Sequence, residues 1–277
     1  MGDRFAAFSF VDRICEFSPG ARARGMFAIP RDLASFPSCL VAEAVGQLAT
    51  WVAMEHIDFR GRPVAALAME TRFLREARPG ETLDLAVEIE STDDEAVAYH
   101  GWADVDGMRA LELIDCLGPM LPTEEFDAPA ALRERLGLLR TDGAPAGRFH
   151  GIDRFRVEPA ALVPGKSAAA TLCVPESAPF FRDHFPRRPV FPATLLLNEM
   201  IGLAVTAAGA AGTGSTLVPA RMTNVKVRSF TPPGQMLELS AELAGPGGGV
   251  IVASLNARAE GRMVATARVD LCERGAV

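Results

Sequence analysis

The chain has 277 residues, of which 49% are hydrophobic and 23% are charged, a composition typical of folded domains that excludes wholesale disorder. Its 28 basic and 35 acidic residues give a formal net charge of −7, which argues against a nucleic-acid-binding protein. The apolar runs are too short to span a bilayer and the N-terminus does not have the pattern of a signal peptide, so we expect no membrane partner.

The five cysteines are scattered along the chain and form no CxxC pair. This odd, dispersed set argues against a zinc site or a disulfide framework and predicts a reducing, cytoplasmic location. The sequence also has no glycine-rich dinucleotide motif after a strand and no Walker loop. It therefore predicts neither a metal nor any other cofactor.

The sequence repeats itself once, at about half its length. Four landmarks of the first half recur in the same order in the second: Val11-Asp12-Arg13 as Ile152-Asp153-Arg154, Pro19-Gly20 as Pro164-Gly165, Pro37 as Pro192, and Pro79-Gly80 as Pro233-Gly234. Each half reads as a strand, a loop, one long apolar helix and several alternating strands. This predicts an α+β fold in which each antiparallel sheet wraps one buried helix and the two copies pair.

The stretch between the two copies has a different character, because it is charged and ends in a run of glycine, proline and alanine. We therefore predict an N-terminal domain over 1–120, a linker over 121–147 and a C-terminal domain over 148–277. The linker is expected to contain a short helix around Ala130–Leu139.

The two copies differ most in the loop before the second helix, which is ten residues longer than its counterpart. This loop contains His184, followed by prolines at 186, 189 and 192. Prolines restrict the backbone, which suits a side chain that is held in one position.

The segment HFPRRPVFPATLLLNEM resembles the HFPxxPxxPGxLxxEAM segment of the bacterial β-hydroxyacyl-ACP dehydratases of the FabZ/FabA type, and VRSFTPPGQMLEL resembles a strand of the same family. The first half is similar too, in FVDRICEF, PSCLVAEAVGQ and FLREARPGETLDL. The resemblance implies a double hotdog: two antiparallel sheets, each around one long central helix, paired as a pseudo-dimer within one chain.

The family's catalytic pair is a loop histidine and an acidic helix residue 14 positions later, contributed by different subunits. His184 matches the histidine, but the acidic position of the second half is Asn198. In the first half that position is Glu43, whereas the residue matching the histidine is Ile29. The resemblance thus implies one composite site, with His184 as the base and Glu43 as the acid. Glu199 is the alternative acid if the register is shifted by one residue.

Dehydration also needs donors for the oxygen of the enolate-like intermediate. The free N–H groups at the start of the second helix suit this task, and by resemblance the Ala193 N–H is the expected donor. Gln47 lies one helical turn beyond Glu43 and is expected to orient it. Candidate substrate-binding and carrier-binding residues are Arg182, Arg187, Arg188, Lys226, Arg228, Phe180 and Phe191.

These observations predict an enzyme that dehydrates a 3-hydroxyacyl thioester in fatty acid or polyketide-like synthesis. The carrier is an acyl carrier protein or coenzyme A, and two double hotdogs could associate as a homodimer. Two alternatives stay open at this point. Glu43 could serve a hotdog thioesterase, or the chain could be a non-catalytic acyl-binding subunit, since Asn198 and Ala193 depart from the family pattern.

Overall fold

The computed structural model describes residue 5 and residues 7–145, 148–210, 216–247 and 250–274. The first repeat contains β1 (Arg13–Ser18), β2 (Arg22–Ala28), α1 (Ser38–His56), β3 (Gly61–Pro63), β4 (Leu67–Phe73), β5 (Thr82–Thr92), β6 (Ala96–Val105) and β7 (Met108–Pro122). The second contains β8 (Arg156–Val163), β9 (Ser167–Cys173), α3 (Phe181–His184), α4 (Ala193–Gly209), β10 (Leu217–Val227), β11 (Met236–Gly247), β12 (Val250–Ala259) and β13 (Arg262–Glu273). A 3-10 turn (Thr123–Glu125) and α2 (Pro129–Arg140) lie between them.

Both long helices begin at the residue after a proline, as predicted, because extended Pro37 and Pro192 cannot continue a helix backwards. Both are rich in alanine and leucine and are buried on most sides, with side chains such as Leu48 and Met200 fully buried. Gly101 on β6 allows α1 to approach the sheet, since a Cβ atom there would lie 2.7 Å from a methyl carbon of Val45. Within the described ranges, no helix is long and apolar enough to cross a membrane.

The strands confirm the predicted antiparallel double hotdog. The prediction of two sheets differs from the structure in one respect, because the two half-sheets are joined. The order is β1-β2-β5-β6-β7-β4-β10-β13-β12-β11-β9-β8, so one continuous sheet runs through both repeats. The junction is the antiparallel pairing of β4 with β10, in which Ala68 faces Val225 and Arg72 faces Arg221. This pairing removes one exposed edge from each half-sheet. It also brings the two long helices side by side, where they contact each other.

The segment between the repeats is more than a spacer. The predicted short helix is present as α2, and it buries Leu132, Leu136 and Leu139 against the core. β7 also extends to Pro122, beyond the predicted end of the first domain. Residues 146–147, at the end of the predicted linker, lie outside the described residues. The connecting segment is therefore packed, and it contributes to the wall of the site described next.

Candidate active site

A cavity of about 220 Å³ lies where the two repeats meet. Its wall contains Glu43 from α1, His184 from the end of α3, and Ala193 from the start of α4. The rest of the wall is largely apolar and comes from both repeats, for example Val97 and Leu113 from the first and Met222 and Val225 from the second. The wall of one cavity thus contains the predicted base, the predicted acid and the predicted oxyanion donor.

Both carboxyl oxygens of Glu43 are hydrogen-bonded. Gln47 Nε2 donates to Oε1 over 2.9 Å, and Thr194 Oγ1 donates to Oε2 over 2.8 Å. An amide nitrogen can only donate, so Oε1 must stay an acceptor and the acidic proton of a neutral Glu43 belongs on Oε2. The Thr194 hydroxyl can donate to a carboxylate or accept from a carboxylic acid, so it fits both charge states.

Gln47 is itself held by the backbone of the N-terminal segment. Its Nε2 donates to the Phe8 carbonyl over 3.0 Å, and its Oε1 accepts the Phe10 N–H over 2.9 Å. These contacts leave one orientation for the amide, with its nitrogen towards Glu43. The structure therefore places Gln47 where an orienting residue was expected.

His184 is partly buried and points a single nitrogen to the cavity. Its Nδ1 lies 3.3 Å from the Val190 carbonyl oxygen, which can only accept, so Nδ1 carries the proton and Nε2 is left with the free lone pair. The Phe8 ring packs edge-on against the imidazole at 5.3 Å, and the Phe185 ring lies at 4.1 Å on another side. These contacts hold the imidazole in place.

The environment shifts the pKa values of the two side chains in opposite directions, and both shifts favour the neutral form. Burial, and next the positive charge of Arg62, lower the pKa of His184 to about 3, so the imidazole is neutral at pH 7. Burial raises the pKa of Glu43 above its ordinary value, while its hydrogen bonds to Gln47 and Thr194 and the charge of Arg62 partly oppose this. A neutral base beside a carboxyl that retains its proton more readily is what acid–base catalysis requires.

The oxyanion donor is expected at the N-terminus of α4, and Ala193 is the first residue of this helix. The N–H groups of Leu195 and Leu196 donate to the Pro192 carbonyl, whereas Ala193 and Thr194 belong to the part of the first turn that has no intrahelical acceptor. The positive end of the helix dipole faces the same space. The cavity thus contains a donor beside the two titratable side chains.

The alternative acid lies elsewhere. Glu199 does not line the cavity formed by the described residues; its side chain accepts a hydrogen bond from Asn198 over 3.3 Å. Burial is the main cause that raises the pKa of Cys39 to about 12, and the charge of Glu199 contributes to it. Glu199 therefore lies near the first turn of α1, which contains Cys39. By the repeat register, Cys39 and Asn198 are the counterparts of Thr194 and Glu43. This is the position of the second site, which was expected to have no acid.

The predicted basic residues lie outside the cavity and are exposed. Arg188 binds Glu125 over 2.7 Å and lies over the Phe230 ring, and Arg187 donates to the Glu124 carbonyl. These two therefore attach the His184 loop to the connecting segment. Arg182 and Lys226 are exposed, and the Arg228 guanidinium lies 3.0 Å from the Thr266 hydroxyl, to which it donates.

The two predicted aromatic residues have different positions. Phe191 lines the cavity, as expected of a substrate-binding residue. Phe180 is only 4% exposed and packs against the rings of Phe8, Phe155 and Phe181, and it is not among the residues that line this cavity. Phe180 precedes the turn of α3, and its ring lies 6.0 Å from that of Phe191, which lines the cavity.

The polar residues of the site that sequence reasoning missed include Thr194, Asp183 and Arg62. Thr194 holds Glu43 from the other repeat, and Asp183 accepts hydrogen bonds from the Ala7 and Phe8 N–H groups, which anchors the N-terminal segment beside His184. Arg62 donates to the His184 carbonyl over 2.7 Å. The position of Thr194 directly after Ala193 was a usable signal, but nothing in the sequence around Arg62 indicated its partner.

Comparison with known proteins identifies relatives of this chain. A family model described as ApeI-like, ApeI dehydratase, matches residues 161–265. The 3-hydroxyacyl-(acyl-carrier-protein) dehydratase FabZ of Syntrophotalea carbinolica is 35% identical over 112 residues, which are 39% of this chain and 76% of that protein. The FabZ of Rhizorhabdus wittichii is 33% identical over 128 residues, covering 45% of this chain and 80% of that protein.

Solved structures share the fold over nearly the whole chain. The tesB protein of Mycobacterium avium subs paratuberculosis superposes with a TM-score of 0.61 at 16% identity, covering 93% of this chain and 95% of its own. The dehydratase domain of PpsC from Mycobacterium tuberculosis, in complex with C12:1-CoA, superposes with a TM-score of 0.54 at 16% identity, covering 96% of this chain and 99% of its own. These structures show the hotdog fold, and the sequence relatives show that the chain belongs to the FabZ-like family of dehydratases.

Proposed function

We propose that this protein removes water from a 3-hydroxyacyl thioester to form the trans-2-enoyl thioester, at one composite site. The observation that carries the proposal is that His184 of the second repeat and Glu43 of the first line the same cavity. The FabZ relatives support the same reaction type. Their name also favours acyl carrier protein as the carrier of the substrate, with coenzyme A as the alternative. The five cysteines are all free, which suits a reducing cytoplasm.

The residues divide the reaction between them. His184 Nε2 takes the proton beside the thioester carbonyl, and the Ala193 N–H stabilises the negative charge that develops on the carbonyl oxygen. Glu43 Oε2 gives its proton to the departing hydroxyl, which leaves as water. The imidazolium and carboxylate formed in this step neutralise each other, and proton return from His184 to Glu43 restores the site.

The test is to incubate the purified protein with a 3-hydroxyacyl thioester of acyl carrier protein and, separately, of coenzyme A, and to follow mass and free thiol. The proposal expects the acyl group to lose the mass of one water, with no thiol released, and His184→Ala to slow this by about 10²-fold or more. Release of free thiol would establish a thioesterase instead. No change with either carrier would leave a non-catalytic acyl-binding subunit.

A further inference from the structure

Arg62 is a largely buried arginine on the wall of the cavity, and the reaction steps proposed above give it no role. Arg62 is in β3, the three-residue strand that follows α1, and its side chain is only 12% exposed. Burial lowers its pKa to about 10, which still leaves the guanidinium charged at pH 7. Burying a guanidinium costs free energy unless its contacts compensate, so its contacts indicate what it does.

The shorter of its polar contacts with His184 and Asp127 is the one with the backbone of His184. Arg62 Nη2 donates to the His184 carbonyl oxygen over 2.7 Å, and the guanidinium carbon lies 4.6 Å from the centre of the Phe185 ring. His184 is the last residue of the single turn α3, where the carbonyl groups have no helical donor. One guanidinium from the first repeat thus holds the end of the turn that carries the base in the second.

The other side of the guanidinium faces the connecting segment. Arg62 Nη1 lies 3.9 Å from Asp127 Oδ2, and the same carboxyl oxygen lies 3.9 Å from Arg135 Nη1 on α2. Arg135 Nη2 donates to the Ser9 hydroxyl over 3.1 Å.

The Ser9 hydroxyl in turn lies 3.5 Å from Asp183 Oδ2, and Asp183 directly precedes His184 in the chain. The buried polar contacts therefore run from the His184 carbonyl through Arg62 and the connecting segment and return to the residue before His184. Arg62 is the member that contacts His184 itself.

Electrostatics point to the same residue. The charged residues that line the cavity are Glu43 on α1, Arg62 on β3, Arg135 on α2 and Asp183 on α3, and Asp127 of the connecting segment acts on Arg62. The charge of Arg62 lowers the pKa of His184 and also that of Glu43. A guanidinium here therefore favours a neutral imidazole and helps to hold the carboxylate that forms when Glu43 gives up its proton.

We propose that Arg62 is a positioning residue, which holds the imidazole of His184 in the reactive place through the His184 carbonyl and ties it to the connecting segment. This inference rests on the proposed dehydration, in which His184 is the base. It assigns the connecting segment a part in catalysis, because Asp127 and Arg135 surround the guanidinium from that side.

The test compares Arg62→Met, which removes the charge and the donors, with Arg62→Lys, which retains a charge. Arg60→Met is the matched control, since Arg60 is an exposed neighbour that binds Asp94 over 2.7 Å. We expect Arg62→Met to lower kcat by about 10²-fold with KM little changed, because a small displacement of the base is costly. Removing the positive charge raises both pKa values, so both limbs of the pH–rate profile move to higher pH, and Arg62→Lys reverses this movement. Arg60→Met has no effect.

A second readout does not depend on turnover. The imidazole of His184 is titrated by ¹⁵N NMR on the full chain, assigned by loss of its signals in His184→Ala. In Arg62→Met we expect it to titrate about one pH unit or more above wild type. An unmoved titration with kcat within about two-fold of wild type would overturn the proposal. If Arg62→Met does not fold, Arg62→Lys is the deciding variant, and an unchanged kcat there would overturn it too. A wild type that does not dehydrate would remove the proposed function, whereas the NMR titration would still decide whether Arg62 acts on His184.

Discussion

Thr194 Oγ1, in the first turn of α4, lies 2.8 Å from Glu43 Oε2 on α1 and donates a hydrogen bond to it. The two residues belong to different repeats, and the register of the repeats makes Cys39 and Asn198 their counterparts. One pair consists of a hydroxyl and a carboxyl, on Thr194 and Glu43. The equivalent pair consists of a thiol and an amide, on Cys39 and Asn198. Only the first pair can donate a proton and stabilise the carboxylate that remains.

Replacing Thr194 by valine removes the hydroxyl with little change in shape. The hydrogen bond lowers the pKa of Glu43, so its loss raises this pKa further. We predict a lower kcat, by about 10-fold for loss of one hydrogen bond to a charged group, and an alkaline limb of the pH–rate profile that moves to higher pH. Thr194→Ser retains the donor and is expected to behave like wild type. An alkaline limb at the wild-type position in Thr194→Val would show that this hydroxyl does not act on the acid.

His184 predicts a specific dependence of stability on pH. Its folded pKa of about 3 lies below its ordinary value of 6.5, so between these values the unfolded chain binds more protons and stability falls as pH falls. At pH 5 the loss amounts to at most about 2 kcal/mol relative to neutral pH. Chemical denaturation of wild type and His184→Gln at pH 7 and pH 5 measures it. We expect the variant to lose less stability on acidification, and equal losses would contradict the folded pKa.

Asp183 anchors the segment that covers His184. Its Oδ2 accepts the N–H groups of Ala7 and Phe8 over 2.8 Å and 3.0 Å. Asp183→Ala leaves these groups without an acceptor, and we predict a loss of about 2–4 kcal/mol in the free energy of unfolding, since each buried unsatisfied group costs about 1–3 kcal/mol. Faster hydrogen exchange at both amides would accompany it. Asp183→Asn retains one acceptor oxygen and is expected to lose less. Unchanged exchange in Asp183→Ala would mean that the segment is held by other contacts.

The composite site lies within one chain, so two variants that each lack one catalytic residue should not restore each other's activity. Co-expressing His184→Ala with Glu43→Gln is predicted to give no more activity than the separate variants, because each chain still lacks one partner. Differential tags allow the mixed oligomers, where they form, to be isolated and assayed. Activity well above that of either variant would mean that the sites form between chains.

The sequence was sufficient for the elements that depend on local pattern. Pro37 and Pro192 predicted where both long helices begin, and the register between the repeats paired Glu43 with His184 in one cavity. The contacts of Arg62 and Asp183 were not predictable, because they join segments far apart in the chain and neither side chain belongs to a periodic pattern.

The contacts of the connecting segment were likewise not predictable from the sequence. Its charged composition predicted a linker with a short helix, and in α2 the leucines at 132, 136 and 139 recur at helical spacing and pack inward. Arg135, on the same helix, is 8% exposed and reaches the site wall. From the sequence alone an arginine such as Arg135 is expected on the surface, and only the fold shows that it is buried beside the Asp127 carboxyl.

The most direct measurement is the dehydration rate, by loss of water from a 3-hydroxyacyl thioester, of wild type, His184→Ala, Glu43→Gln and Glu199→Gln. The composite site predicts that the first two variants each slow the reaction by about 10²-fold or more, while Glu199→Gln, which lies near α1 and away from the cavity, reacts like wild type. A Glu43→Gln protein with the wild-type rate, or a Glu199→Gln protein as slow as His184→Ala, would contradict the account.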